Sequence, residues 1–212
     1  MPEAASVVVA HGLWMTGVEA TLFRQRLAHE GFAVQQFHYR SVTAQLDAVL
    51  DEFRAAVAAM PAPVHLVGHS LGGLLVLRLV ERYPDLPLGR VVLLGSPVNG
   101  SSTARAVLRM PGSSFVFGTL AETELTRAGT RRWQHPAGLG VIAGSNSFGL
   151  GRFLSHLAEP NDGTVAVEET RLEGATAVLV LNVSHTGMMV SRTVVRETAS
   201  FLADGHFTVR ET

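Results

Sequence analysis

The stretch Val64-His65-Leu66-Val67-Gly68-His69-Ser70-Leu71-Gly72-Gly73-Leu74-Leu75-Val76-Leu77-Arg78-Leu79-Val80 constrains the fold most. It opens with a β-branched, apolar run of strand length and closes with an apolar run of helical length. A serine framed by Gly68 and Gly72 sits at the join. The strand half has no polar alternation, so both of its faces are expected to be covered. That is the mark of a parallel sheet with helices on each side.

The rest of the chain repeats this theme. Short apolar runs at Ser6–Ala10, Ala33–Tyr39, Arg90–Gly95, Leu139–Ala143 and Ala177–Val183 read as further strands. Helical spacing marks Glu19–Glu30, Val42–Met60 and Leu71–Tyr83, with Gly31 and Pro61 as stops. Ser101–Met110 and Leu120–Arg127 are weaker helical segments. Gly187–Ala203 reads as a closing helix, and His206–Arg210 as an edge strand or a tail. Strand and helix alternate, so an α/β fold is expected: a mostly parallel sheet of about six strands with helices on both faces. The 212 residues contain no repeat or long linker and suit one domain, residues 1–212. Gly100–Gly138, rich in Gly, Ser, Thr and Arg, is expected as a surface excursion over the sheet or a partial lid.

Composition narrows the function. The net charge is −1, which carries no basic footprint for nucleic acid. There is no cysteine, so a disulfide framework, a Cys-ligated zinc and a cysteine nucleophile are excluded. No run approaches the length of a membrane-spanning helix. Met1–Ser6 carries an acid rather than a basic leader start, and a cytoplasmic location is expected.

The serine at the turn carries the chemistry. Gly68-x-Ser70-x-Gly72 in a strand–turn–helix context is a nucleophile elbow. The turn is tight enough to strain the serine backbone and expose its hydroxyl. Side chains two positions either side would collide with neighbouring elements. Ser96, followed by Pro97 and without a glycine frame, is the second choice. A serine needs a base and a group that orients the base. On elbows of this pattern they follow in the order serine, acid, histidine.

Among the histidines beyond Ser70, His135, His156 and His206 read as structural or exposed. His185 lies just past the strand Ala177–Val183, where open α/β sheets build their sites. Asp162, in Asn161-Asp162-Gly163, is the favoured acid, although such a tripeptide also marks a plain turn. Glu159 and then Glu168 are the alternatives. The oxyanion donors are expected to be the backbone N–H groups of Leu71 and Leu13, with Trp14 as runner-up for the second. Trp14, Met15, Met188 and Met189 flank the motifs as an apolar pocket or as core packing.

His11-Gly12, Gly68-His69-Ser70-Leu71-Gly72-Gly73, Asn161-Asp162-Gly163-Thr164-Val165 and Ser184-His185-Thr186-Gly187 together resemble the α/β-hydrolase superfamily. The similarity is greatest to its small bacterial lipase- and esterase-like members. It implies a minimal version of that fold without a large cap domain. It also implies cleavage of a small-molecule carboxylic ester or lipid-like substrate through Ser70, His185 and Asp162, without metal or cofactor. A thioesterase, an acyltransferase or a non-catalytic receptor on the same fold stays open at this level, as does the oligomeric state.

Overall fold

The computed structural model describes residues 4–13, 15, 18–127, 129, 131–147 and 157–209. Six strands form one sheet: β1 (Ser6–Ala10), β2 (Ala33–Phe37), β3 (Val64–His69), β4 (Leu88–Leu94), β5 (Gly138–Gly144) and β6 (Ala177–Leu181). Their order is β2-β1-β3-β4-β5-β6, and every neighbouring pair is parallel. Among the described residues the α-helices are α1 (Val18–His29), α2 (Leu46–Ala58), α3 (Leu71–Arg82), α4 (Ser102–Leu108), α5 (Ser114–Thr126) and α6 (Arg192–Asp204).

The apolar runs are explained by where alternate residues go. Val8, Ala10, Leu66, Val91, Leu93, Leu139 and Val141 face one core, shared with α2, α3 and α5. Val7, Val9, Val67, Val92, Leu94, Ile142 and Leu179 face the other, shared with α1 and α6. Most positions of β1, β3, β4 and β5 therefore meet a helix on one side or the other, whereas the edge strand β2 carries Gln35 and Gln36 and the edge strand β6 leaves Val178 exposed.

Several boundaries differ from the sequence expectations. The segment Gly187–Ala203 is not one helix. It is a 3₁₀ turn over Gly187–Val190 followed by α6, because Ser191 intervenes and its Oγ caps α6 by accepting from the Val194 amide. α5 is longer than expected and breaks at Gly118, whose φ is 72°. A Cβ there would sit 1.8 Å from the Val42 carbonyl oxygen, so only glycine permits this approach. His206–Val209 forms no strand. Glu197 on α6 instead accepts from the Thr208 and Val209 amides and the Thr208 hydroxyl.

Within the segment 100–138, expected as a surface excursion or a partial lid, Phe117, Leu120, Ala121, Leu125 and Trp133 lie buried in the α3-side core. Arg78 on α3 grips the buried Glu124 of α5 with Nε and Nη2, both at 2.8 Å. Arg131 adds a contact at 3.2 Å. Paired guanidiniums make a buried carboxylate tolerable, and α5 is clamped to the body of the fold.

Candidate active site

The chain reverses direction across the sheet between β1 and β3, since β2 lies outside β1 and β3 returns on its other side. Such a switch point opens a crevice at the carboxyl ends of the strands. Ala10 of β1 pairs with Gly68 of β3. Two residues further on, Gly12 and Ser70 face each other. A Cβ on Gly12 would lie 3.2 Å from the Ser70 Cβ and 3.0 Å from His69 Nδ1.

Ser70 ends β3 and caps α3 with φ 53° and ψ −120°, the only positive φ outside glycine among the described residues. Holding a residue with a Cβ there costs about 1–3 kcal/mol. The flanking glycines are sterically required. A Cβ on Gly68 would be 2.4 Å from the Gly73 Cα, and one on Gly72 would be 2.3 Å from the Ala10 carbonyl oxygen. Ser96 lies under this turn, 1 % exposed, and a Cβ on Gly73 would strike its Oγ at 2.0 Å. The second-choice serine is thus packing. Leu71 begins α3, whose first-turn amide N–H groups ordinarily lack an intrahelical partner.

The opposite wall is the loop after β1. The His11 ring stacks on Tyr39 with centroids 4.5 Å apart, and the Tyr39 hydroxyl donates to the His11 carbonyl at 2.8 Å. Burial pushes the Tyr39 phenol well above its usual pKa, so it remains a donor. The His11 Nδ1–H donates to the Gly12 carbonyl at 2.8 Å, and the Gly12 N–H meets Met15 Sδ at 3.4 Å. Leu13 is half-buried against the α3-side core. Trp14 lies outside the described residues, as does His156.

The third wall follows β5 and β6. Asp162 is 1 % exposed. Its Oδ1 accepts from the Thr164 and Val165 amides at 2.9 and 2.7 Å. Its Oδ2 accepts from His185 Nδ1 at 2.7 Å. Since a carboxylate only accepts here, the neutral His185 ring carries its proton on Nδ1 and its lone pair on Nε2. The His185 amide also donates to the Asp162 carbonyl at 2.9 Å. Two glycines make room for this acid. A Cβ on Gly95 would be 3.1 Å from Asp162 Oδ2, and one on Gly144 would be 2.7 Å from the Asp162 Cβ. Glu159 and Glu168 are exposed at the surface.

The remaining sequence expectations resolve by burial. Met188 and Met189 are 0 % and 1 % exposed and belong to the α1/α6-side core, so they do not line an open pocket. Met188 packs beneath the acid, its Cε 2.7 Å from where a Gly144 Cβ would stand. Met15 is half-buried beside Gly12. His135 accepts from the Ala137 amide beside Trp133, and His206 is exposed.

Three residues near the site are given no role by the sequence, although His69 stands inside the serine-turn motif. His69 is buried and touches the His185 carbonyl. Thr103 donates to the Thr164 carbonyl at 2.7 Å. Glu169 accepts from the Ser102 amide at 2.6 Å and from the Ala166 amide at 3.0 Å, tying α4 to the acid loop.

The sequence model of the alpha/beta hydrolase family matches residues 7–197. The chain belongs to the alpha/beta hydrolase family. No curated protein matches it. Among solved structures, the mature form of the Bacillus licheniformis lipase BlEst2 superimposes with a TM-score of 0.72 at 16% identity, over 96% of this chain and 92% of the lipase. The ydeN gene product of B. subtilis gives 0.63 at 15% identity, over 94% and 99%. The pyrethroid hydrolase PytH gives 0.62 at 14% identity, over 95% and 99%. This chain therefore shares the alpha/beta hydrolase fold with lipases and other hydrolases. Among its described residues no helix is long and apolar enough to cross a membrane, and no group of three or more His, Asp or Glu is placed to hold a metal ion.

Proposed function

We propose that this alpha/beta hydrolase is a single-domain serine esterase acting on small carboxylic esters. The observation that carries the proposal is the 2.7 Å contact between Asp162 and His185 Nδ1, in a chain whose Ser70 holds the backbone strain of a nucleophile elbow and whose adjacent His69 reaches the His185 carbonyl. In this reading Ser70 Oγ attacks the ester carbonyl while His185 Nε2 takes its proton. Asp162 keeps the imidazole in the required tautomer and stabilises the imidazolium that forms. The amides of Leu71 and Leu13 hold the oxyanion, each worth about 3 kcal/mol of barrier in such sites. His185 then protonates the leaving alcohol, and later draws a proton from the water that frees the acid. The names of the fold neighbours, a lipase and a pyrethroid hydrolase, favour substrates with an apolar acyl or alcohol part.

The test is hydrolysis of p-nitrophenyl esters of increasing acyl length by the wild type and Ser70→Ala. Turnover that vanishes in a folded Ser70→Ala variant, together with fluorophosphonate labelling at Ser70, is the expected result. Turnover that survives Ser70→Ala would sink the proposal.

A further inference from the structure

His69 is the residue before the proposed nucleophile, yet its side chain reaches the base rather than the substrate. It is 2 % exposed. Its ring centroid lies 4.8 Å from that of His185, tilted by 43°. Its Nε2 is 3.1 Å from the main-chain oxygen of His185. A carbonyl can only accept, so Nε2 carries the proton. Nδ1 is then a bare lone pair. It is buried without a hydrogen-bond partner and faces the Gly12 backbone.

Both main-chain groups of His185 are therefore tied. The N–H goes to the Asp162 carbonyl and the C=O takes the His69 proton. We propose that His69 is a positioning residue for His185, its Nε2–H pinning the base's main chain to the element that carries Ser70. The proposal rests on the esterase reading for its kinetic consequence, and on geometry alone for the tether. The Asp162 carboxylate sets which nitrogen of His185 is protonated and one direction of the ring, and its carbonyl holds one side of the His185 main chain. The tether, which joins residues 116 apart in sequence, sets where that ring stands relative to Ser70. Misplacement of a catalytic group by about 1 Å costs on the order of 10²-fold in rate.

The neutrality of His69 fits this role. Burial, and then the neighbouring His185 ring, push its pKa down to about 3; the hydrogen bond to the His185 carbonyl and then Asp162 oppose this, and His11 adds a smaller push downward. A second proton would have to sit on Nδ1, where no acceptor waits. His69 thus stays uncharged while His185 becomes an imidazolium, and does not oppose that charge.

The test compares His69→Gln, whose amide nitrogen can stand where Nε2 stood, with His69→Asn and His69→Phe. The expected result is a fall in kcat and in the fluorophosphonate labelling rate of about 10²-fold for Phe and Asn. KM should change little, and Gln should recover most of the loss. Equal rates in all three variants and the wild type would overturn the proposal, as would equal loss in folded Gln and Phe variants.

¹⁵N-histidine NMR of the wild type supplies a reading that needs no substrate and no variant. The expected spectrum shows His69 protonated on Nε2 and bare on Nδ1 throughout the range of about pH 5 to 9. It also shows a downfield His185 Nδ1–H shared with Asp162. A His69 proton on Nδ1, or a His69 that titrates within that range, would overturn the tether. A wild type that fails to label at Ser70 would remove the esterase reading and leave the NMR result to judge the tether alone.

Discussion

Thr103 on α4 donates its hydroxyl to the main-chain oxygen of Thr164 at 2.7 Å, and the amide of Thr164 donates to Asp162 Oδ1 at 2.9 Å. The start of the 100–138 segment is therefore one peptide group away from the acid. Glu169 and Asn99 add further bonds across the same seam. An element that begins so firmly attached does not swing at its root.

Thr103→Val keeps the shape of the side chain and removes this donor, leaving the Thr164 carbonyl short of a partner. A loss of about 1–3 kcal/mol of stability is expected, with a lower rate of labelling at Ser70. Thr103→Ser restores the hydroxyl and should return both toward wild type. Denaturant titration of the two variants, read with labelling rates, checks this. A Val variant equal to wild type on both counts would show that the seam does not support the acid.

Ser70 holds φ 53° with a Cβ attached. Glycine adopts that conformation without the steric conflict, whereas alanine keeps it. Ser70→Gly is therefore expected to be more stable than Ser70→Ala by about 1 kcal/mol, the relief of strain exceeding glycine's larger entropy loss. Both variants should be inactive. Thermal melts of the pair measure the difference. An alanine variant as stable as the glycine one would mean that the elbow stores no strain.

Glu197 on α6 has a side chain with no solvent exposure and faces Thr208, Val209 and Arg196. Burial by itself raises its pKa. Hydrogen bonds from the Thr208 hydroxyl and the Val209 and Thr208 amides, with Arg196 nearby, outweigh that and hold it below the ordinary value of 4.5. A depressed acid contributes stability that is complete above its unfolded pKa and is lost as pH falls through its folded one. The tail over Thr208–Val209 should thus stay docked at neutral pH and release on acidification below that value. Glu197→Gln should be less stable at neutral pH and show a flatter acid limb. Amide hydrogen exchange at Thr208 and Val209 against pH follows the event. Protection at those amides that persists unchanged in Glu197→Gln would contradict the latch.

Much of the fold was legible in the residues. Val64–Val80 spelled out a covered strand, a serine turn and a buried helix, and β1, β4 and β5 read the same way. The boundaries that shifted did so where a single residue redirected the backbone. Ser191 split the closing helix, and Gly118 broke α5 against Val42. The segment 100–138 looked superficial because its Gly, Ser and Arg content hid four large buried apolar side chains and a buried Glu124 that pairs with Arg78 of α3.

At the candidate site, the sequence by itself determined what is local. Gly68, Ser70 and Gly72 act on one another through a single turn, and Asp162 takes the Thr164 and Val165 amides within three residues. Steric conflict and short-range hydrogen bonding of that kind are written directly in residue type and spacing. Only the tertiary structure decided which distant groups meet. Asp162 rather than Glu159 or Glu168 reaches His185, 23 residues on. His69 reaches the His185 carbonyl across 116 residues, and Thr103 the acid loop across 61. Met188 and Met189, neighbours of His185 in the chain, turn inward to the core. The physical reason is that parallel strands are joined through long crossovers. The register of one strand on another, set by how two faces of side chains pack, determines which loop ends stand together above the sheet.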